Sequence, residues 1–457
     1  MAQVERLAEF VARARYEALS DAARRALKIR VLDSLGCAIA ALDAPLIAAL
    51  RAHDDELGGR PRATRIGGGR TAPDRATLFN AALVRYLDFN DSFLARGETC
   101  HPSDNLAAVL AACEYAGARS ADLLVALAVA YQVQCRLSEV APVRDKGFDH
   151  TTQLAYSVAA GAAKALGLDV PGIANAISIS GTAQNPLRVT RTGALSNWKG
   201  LAAPHAAFVG VHAALLARRG VTGPREVFEG NKGFEDAIAG AFELDWSRED
   251  LDAVTRTIVK RYNAEIHSQS VLEGVLGLRG EYAPGPQAIA RVELEVFDVA
   301  YKIIGGGEEG DKRTVATKEQ ADHSLPYLVA VALLDGDVMP AQYAPERIAR
   351  PDVQALLRRV AIRPAADLSA RFPAEMPCRI AVHLADGRVL RTERRDYAGF
   401  VTRPMTWEQA TDKLVRLTPR VEPARRARLI RAIDGLEALS ITDLMSQLAD
   451  LARKDPT

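Results

Sequence analysis

Apolar residues in the first 270 positions recur at spacings of three and four, the period of helices that bury one face. After Ser20, which has the side chain of an N-cap, Ala26, Leu27, Val31, Leu32, Leu35 and Ile39 fall on one such face. The same spacing predicts helices over about Arg75 to Leu87, Asn105 to Ala116, Ala121 to Glu139, Gln153 to Leu166, Val170 to Ile179 and Leu201 to Arg218. Runs such as Val158-Ala159-Ala160-Gly161-Ala162-Ala163 offer small side chains, which let packed helices approach closely. After Tyr282-Ala283-Pro284-Gly285-Pro286 the period changes to two, and Ile289 to Val296 reads as a half-buried strand. Arg379 to Leu384 and Arg388 to Leu390 flank Asp386-Gly387, a hairpin turn that wants positive φ. Between these strands about Lys318 to Leu334 reads as a helix, and helical periodicity returns from Trp407 to Leu451. The expected fold is mainly α with a second α+β domain. Residues 1–270 form the all-helical domain, residues 271–400 the α+β domain, and residues 401–457 pack back on the helical part.

Composition narrows the partners. The 58 Lys and Arg against 57 Asp and Glu leave the chain almost neutral, so nothing global points to nucleic acid or an anionic membrane, and an anionic ligand has to be met locally. The longest apolar runs, such as Leu123 to Tyr131, fall short of the roughly 20 residues of a membrane span. The N-terminus mixes acidic and basic residues without a signal-type apolar segment, which makes a soluble, cytoplasmic protein the expectation. Cys37, Cys100, Cys113, Cys135 and Cys378 are scattered and form no C-x-x-C pair. Reduced, buried thiols fit that spacing better than disulfides or the clustered thiolates of an iron–sulfur hydratase.

Chemistry concentrates in polar stretches that interrupt the helices. Arg85 to Ser92 is followed by His101-Pro102-Ser103-Asp104-Asn105, where Asp88 is either functional or paired with Arg85, and Ser103 or Asp104 is either functional or a helix cap. Gln184 to Gly193 and Ser196 to Lys199 place Arg188, Arg191 and Lys199 on irregular backbone. There they either bind carboxylates or face solvent. Tyr262 to Ser270 puts His267 at the polar opening of an apolar helix, and Phe297 to Ile304 carries Tyr301 just after a strand. The glycine run Gly305-Gly306-Gly307 that follows lacks both the dinucleotide fingerprint and the phosphate-loop spacing. Asp322-His323 lies on the helical stretch beside Pro326 and Tyr327, as a capping pair or as ligands. The widely separated histidines show no metal-binding motif, so no metal is expected.

Taken in order, Asp88-Phe89-Asn90-Asp91, His101 to Leu106, Ala264-Glu265-Ile266-His267-Ser268-Gln269-Ser270 and Asp322-His323-Ser324-Leu325-Pro326-Tyr327 resemble the MmgE/PrpD family over essentially the whole chain. The family includes 2-methylcitrate dehydratase and cis-aconitate decarboxylase. The resemblance implies a large helical domain, a smaller α+β lid domain, an active site between them, a homodimer and no cofactor. It maps catalytic roles to Asp88, His101, Lys199, His267 and Tyr301, and substrate binding to Ser92, Arg188 and Arg191, with Ser92 where relatives often carry threonine. The implied reaction removes water from a small hydroxy-tricarboxylate. The alternatives are isomerisation, epimerisation or decarboxylation of a related polycarboxylate, or a catalytically silent binding protein.

Overall fold

The computed structural model describes residues 1–193, 195–281 and 288–451. The change of pattern read at 282 to 286 lies outside the described residues. The chain divides into two compact units: Met1–Thr190, Gly200–Thr257 and Thr406–Thr457 form the first, and Arg191–Lys199 and Ile258–Met405 the second.

The first unit is helical. Helices α1 (Gln3–Arg13), α2 (Asp21–Ala40), α3 (Pro45–Leu57), α4 (Pro73–Tyr86), α5 (Leu106–Ala116), α6 (Ser120–Val140), α7 (Thr151–Ala165), α8 (Val170–Ala183) and α9 (Trp198–Ala217) follow one another, the first turn of α9 being counted with the second unit. Ser20 caps α2 by accepting the Ala23 N–H at 3.0 Å. The alanine-rich α7 is central and packs on α5, α6 and α8. A Cβ on Gly161 would stand 2.9 Å from the Ala130 Cβ of α6, so the small residue is what permits that approach. The helix Trp407–Leu417 packs on α2 within this unit. A short hairpin, β1 (Phe93–Ala95) and β2 (Glu98–Cys100), links α4 to α5.

The estimate from uninterrupted apolar runs is corrected for two helices. Both α6 and α9 are long and apolar enough, by length and composition alone, to cross a membrane. The run in α6 stops at Gln132, but Gln132 and Gln134 are uncharged and buried, so the apolar character continues through them. Most of α6 is buried within the unit, whereas about half of α9 is not.

The second unit holds a four-stranded mixed sheet. Its order is β4 (Val360–Pro364), β3 (Ile289–Val296), β5 (Cys378–Leu384) and β6 (Val389–Arg394), with β3–β4 parallel and the other pairs antiparallel. Gly387 takes φ +91° in the β5–β6 turn. One face, through Leu294 and Ile380, is buried, and α10 (Gln269–Leu278) packs on β5 and β6. The other face is a lattice of ion pairs. Arg379 meets Glu295 at 2.9 Å and Glu393 at 3.1 Å, and a surface cavity of about 580 Å³ there is lined by these solvated pairs. After β3 comes α11 (Asp298–Ile304).

The continuous helix expected over 318 to 334 is broken into α12 (Lys318–Ala321) and α13 (Leu325–Asp335). Ser324 accepts the Tyr327 N–H at 3.1 Å as an N-cap, and Pro326 in the first turn of α13 cannot continue a preceding helix. The break turns Asp322 and His323 out of a helix and into a junction.

Candidate active site

In the first unit the site is built where α4 ends. Asp88 adopts φ +52°, a left-handed conformation that costs a non-glycine residue about 1 kcal/mol and that aspartate tolerates better than most. Its carboxylate contacts the Arg85 guanidinium, as the pairing alternative anticipated. Arg85 also lies 3.9 Å from Asp104. Asn90 donates to Ser103 Oγ at 2.9 Å and to Asp104 Oδ1 at 3.1 Å, so these two side chains serve the buried network and neither caps a helix. Asp91 accepts the Ser103 N–H at 3.0 Å and the Tyr131 hydroxyl at 2.8 Å. Burial nevertheless pushes its carboxyl up. Lys413, brought in by the helix Trp407–Leu417, donates to the Phe89 carbonyl at 2.8 Å and pins the same loop.

His101 is the side chain this network frames. Its Nδ1 lies 2.7 Å from the Asp91 carbonyl oxygen and 3.0 Å from Ser92 Oγ. A carbonyl can only accept, so the neutral ring carries its proton on Nδ1 and Nε2 is the basic nitrogen. The His150 ring packs edge-on against it at 5.3 Å. Asp88, Ser92 and His101 are therefore gathered into one buried cluster. Arg188 sits on a 3₁₀ turn whose backbone N–H bonds the Gly147 carbonyl at 2.9 Å.

In the second unit Lys199 is buried at the start of α9. Its carbonyl accepts from the Arg191 guanidinium at 2.7 Å, which makes Arg191 a brace for the lysine as well as a candidate carboxylate binder. Lys199 Nζ reaches Asp322 Oδ1 at 2.9 Å and His323 Nδ1 at 2.9 Å, while Lys318 Nζ reaches Asp322 Oδ2 at 2.8 Å. Burial would raise the Asp322 carboxyl, but the charges of Lys199, Lys318 and His323 override it and hold it far below the usual carboxylate range. With two ammonium groups on its two oxygens, Asp322 has its charge compensated by lysine.

His267 stands beside this junction, because the backbone N–H of Glu265 donates to the Asp322 carbonyl at 3.1 Å. Its Nδ1 is 2.6 Å from Glu265 Oε1. Lys260 is completely buried, and burial pushes the nearby Lys312 ammonium down. Tyr301 lies on α11, which packs against the 266–268 turn, and its hydroxyl has no hydrogen-bond partner among the described residues. Lys199, Arg191, His267 and Tyr301 thus belong to one unit. Sequence reasoning gave no site role to Glu265 and Lys318, and weighed Asp322 and His323 only as a capping pair or as ligands. The signal for the last two was the Ser324 and Pro326 pair, which marks a new helix start inside an apparently continuous helical pattern.

Imidazoles tied at one ring nitrogen and a buried, braced ammonium are the kinds of side chain with which an enzyme can move protons beside negative charge. Comparison with known proteins narrows that chemistry. Residues 5–247 match the MmgE/PrpD N-terminal domain and residues 262–437 the MmgE/PrpD C-terminal domain, so the chain belongs to the MmgE/PrpD family and is a dehydratase or decarboxylase-type enzyme. It is 28% identical to the 2-methylcitrate dehydratase of Cupriavidus necator over 470 residues, 95% of each chain. It is also 28% identical to that of Escherichia coli strain K12 over 350 residues, 72% of this chain and 71% of the relative. The cis-aconitate decarboxylase of Mus musculus is 26% identical over 424 residues, 86% of this chain and 82% of the relative.

Proposed function

We propose that the protein is a hydro-lyase of the 2-methylcitrate dehydratase type, removing water from a small hydroxy-tricarboxylate to give an aconitate-type alkene. The observation that carries this reading is the cluster of the second unit in which buried Lys199 and Lys260 and half-buried Lys312 and Lys318 stand with His267 and His323 among Glu265, Asp322, Glu309 and Asp311. Ammonium groups held in this way suit a polyanionic substrate.

The chemistry needs a base for a proton next to a carboxylate, a cation for the charge that builds up, and an acid for the departing hydroxyl. His101 Nε2 or His267 Nε2 can take the proton, with Asp88 orienting or serving as base. Lys199, held in place by Asp322 and Arg191, stabilises the enediolate that forms. Tyr301 or the second histidine protonates the leaving oxygen, and Ser92, Arg188 and Arg191 hold the remaining carboxylates. Every group is a side chain, so the mechanism calls on no cofactor.

The match to a cis-aconitate decarboxylase supports a second reading, in which the same groups release carbon dioxide from a related acid. A cytoplasmic homodimer completes the proposal. Support for the dimer is a seam on α9, half-exposed Leu201, His205, Phe208 and Leu215 with exposed His212, spaced four and three apart as in helices that pair.

The test is ultraviolet absorbance of the new C=C with methylcitrate stereoisomers, citrate or cis-aconitate offered separately, chelator present, and carbon dioxide followed in parallel. A rise with one methylcitrate isomer, lost in Lys199→Ala and His267→Ala, is the expected result. Carbon dioxide from cis-aconitate would move the assignment to the second reading, and silence on all substrates from folded protein would defeat both.

A further inference from the structure

We infer that Glu265 is a positioning residue that fixes the ring tautomer of His267, so that Nε2 faces the reaction as a proton acceptor. The inference rests on the reading above that His267 works in the active site. One carboxylate holds the histidine twice: Glu265 Oε2 accepts the His267 backbone N–H at 2.8 Å and Oε1 meets ring Nδ1 at 2.6 Å. Burial would raise the Glu265 carboxyl, but the charge and hydrogen bond of His267, helped by His323 and Lys260, hold it down at about 2. When the ring gives up that charge, the carboxylate 2.6 Å from Nδ1 still accepts the ring N–H, which places the neutral ring's proton on Nδ1. Nε2 is buried and has no hydrogen-bond partner among the described residues. Two phenylalanine rings pack against one side of the imidazole. The Phe297 and Phe372 rings, stacked on each other at 4.4 Å, lie 5.7 and 5.8 Å from the imidazole.

A buried polar nitrogen without a partner is costly unless something fills the role, and here the substrate's proton is that partner. The competing account makes Glu265 only the cap of the short turn at Ile266–Ser268. Glu265→Gln separates the two. Its amide oxygen can still accept the backbone N–H, while its NH₂ group turned toward Nδ1 donates and so favours the proton on Nε2.

The experiment is ¹⁵N NMR of the full chain labelled at its eight histidines, with His267 assigned by its loss in His267→Asn. Wild type is expected to show Nδ1 protonated and Nε2 bare, with the pattern reversed in Glu265→Gln and retained in Glu265→Asp. The turnover of Glu265→Gln should fall about 10²-fold with KM within about threefold. Protonated Nε2 in the wild type overturns the inference without any variant, as does an unchanged tautomer in a folded Glu265→Gln. Should the tautomer reverse as expected while His267→Asn keeps full turnover, the positioning of the ring stands and the active-site reading of His267 is what fails.

Discussion

His101 in the first unit and His267 in the second are tied at the same ring atom by opposite kinds of acceptor. His101 Nδ1 meets the neutral Asp91 carbonyl at 2.7 Å and the Ser92 hydroxyl, whereas His267 Nδ1 meets an ionised carboxylate at 2.6 Å. Both arrangements leave Nε2 basic, but they differ in what they do when a proton arrives. A carboxylate stabilises the positive ring that results, as a peptide carbonyl does less well. Each histidine also has a buried glutamate near it in sequence, and those glutamates diverge in the same way. Glu265, among cations, is held at about 2, while Glu98, three residues before His101, is pushed up to about 7. Burial is common to both; the neighbouring charges decide the outcome.

If that contrast carries into catalysis, His267 is the ring that takes on charge and His101 is the ring that orients and accepts weakly. In steady-state turnover with the substrate identified by the absorbance test, His267→Asn should lose about 10³- to 10⁴-fold and His101→Asn about 10²-fold, within the range of general acid–base catalysis. A larger loss at His101 would reverse the assignment.

The glutamates offer the next largest effect, read in stability rather than rate. Glu98 accepts backbone N–H groups of Val143 at 3.0 Å and Arg144 at 3.2 Å. Burial raises its carboxyl first, and the Asp149 charge adds to this against the N–H bonds and Arg188. Between its ordinary value of 4.5 and about 7 the folded chain holds a proton that the unfolded chain has released. Stability therefore falls as pH rises through that window, by up to about 1.4 kcal/mol per pH unit from this one group. Glu98→Gln, which stays neutral, should flatten that slope in urea midpoints measured from pH 4.5 to 7. For Glu265 the sign is opposite: its contribution is complete above the usual carboxylate range and is lost only as pH falls toward about 2. An unchanged slope in Glu98→Gln would mean that the two glutamates do not differ as their surroundings require.

Periodicity was enough to read the helices from α4 to α9 and the strand Ile289–Val296, because each buries a face whose spacing is written in apolar residues. The break at Ser324 was not read, since the apolar pattern runs through it and only the cap and Pro326 betray it. The polar motifs flagged His101, Lys199 and His267 by residue type. Which atoms they meet depends on backbone far away in sequence: Asp322 reaches Lys199 across 123 positions, and Lys413 pins the Phe89 loop across 324. Partners of that kind leave no local spacing to find. Glu265 did sit two residues from His267, within sight of the sequence, but a carboxylate next to a histidine is uninformative until both are known to be buried.

The smallest effect separates two roles for Ser92. The resemblance assigns it to substrate, while its hydroxyl lies 3.0 Å from His101 Nδ1, where it shares the N–H with the Asp91 carbonyl. A backbone carbonyl cannot be removed by substitution, so in Ser92→Ala the ring keeps its stronger acceptor, its tautomer and its orientation. Losing one of two acceptors of a neutral hydrogen bond amounts to about 1 kcal/mol or less, a turnover change within about fivefold with KM unmoved. His267 has no such second acceptor for Nδ1 among the described residues, which is why the Glu265→Gln effect is expected to be far larger. A rise in KM of tenfold or more in Ser92→Ala, with kcat preserved, would show that the hydroxyl is spent on the substrate rather than on the ring. The first-unit histidine would then depend on the Asp91 carbonyl alone.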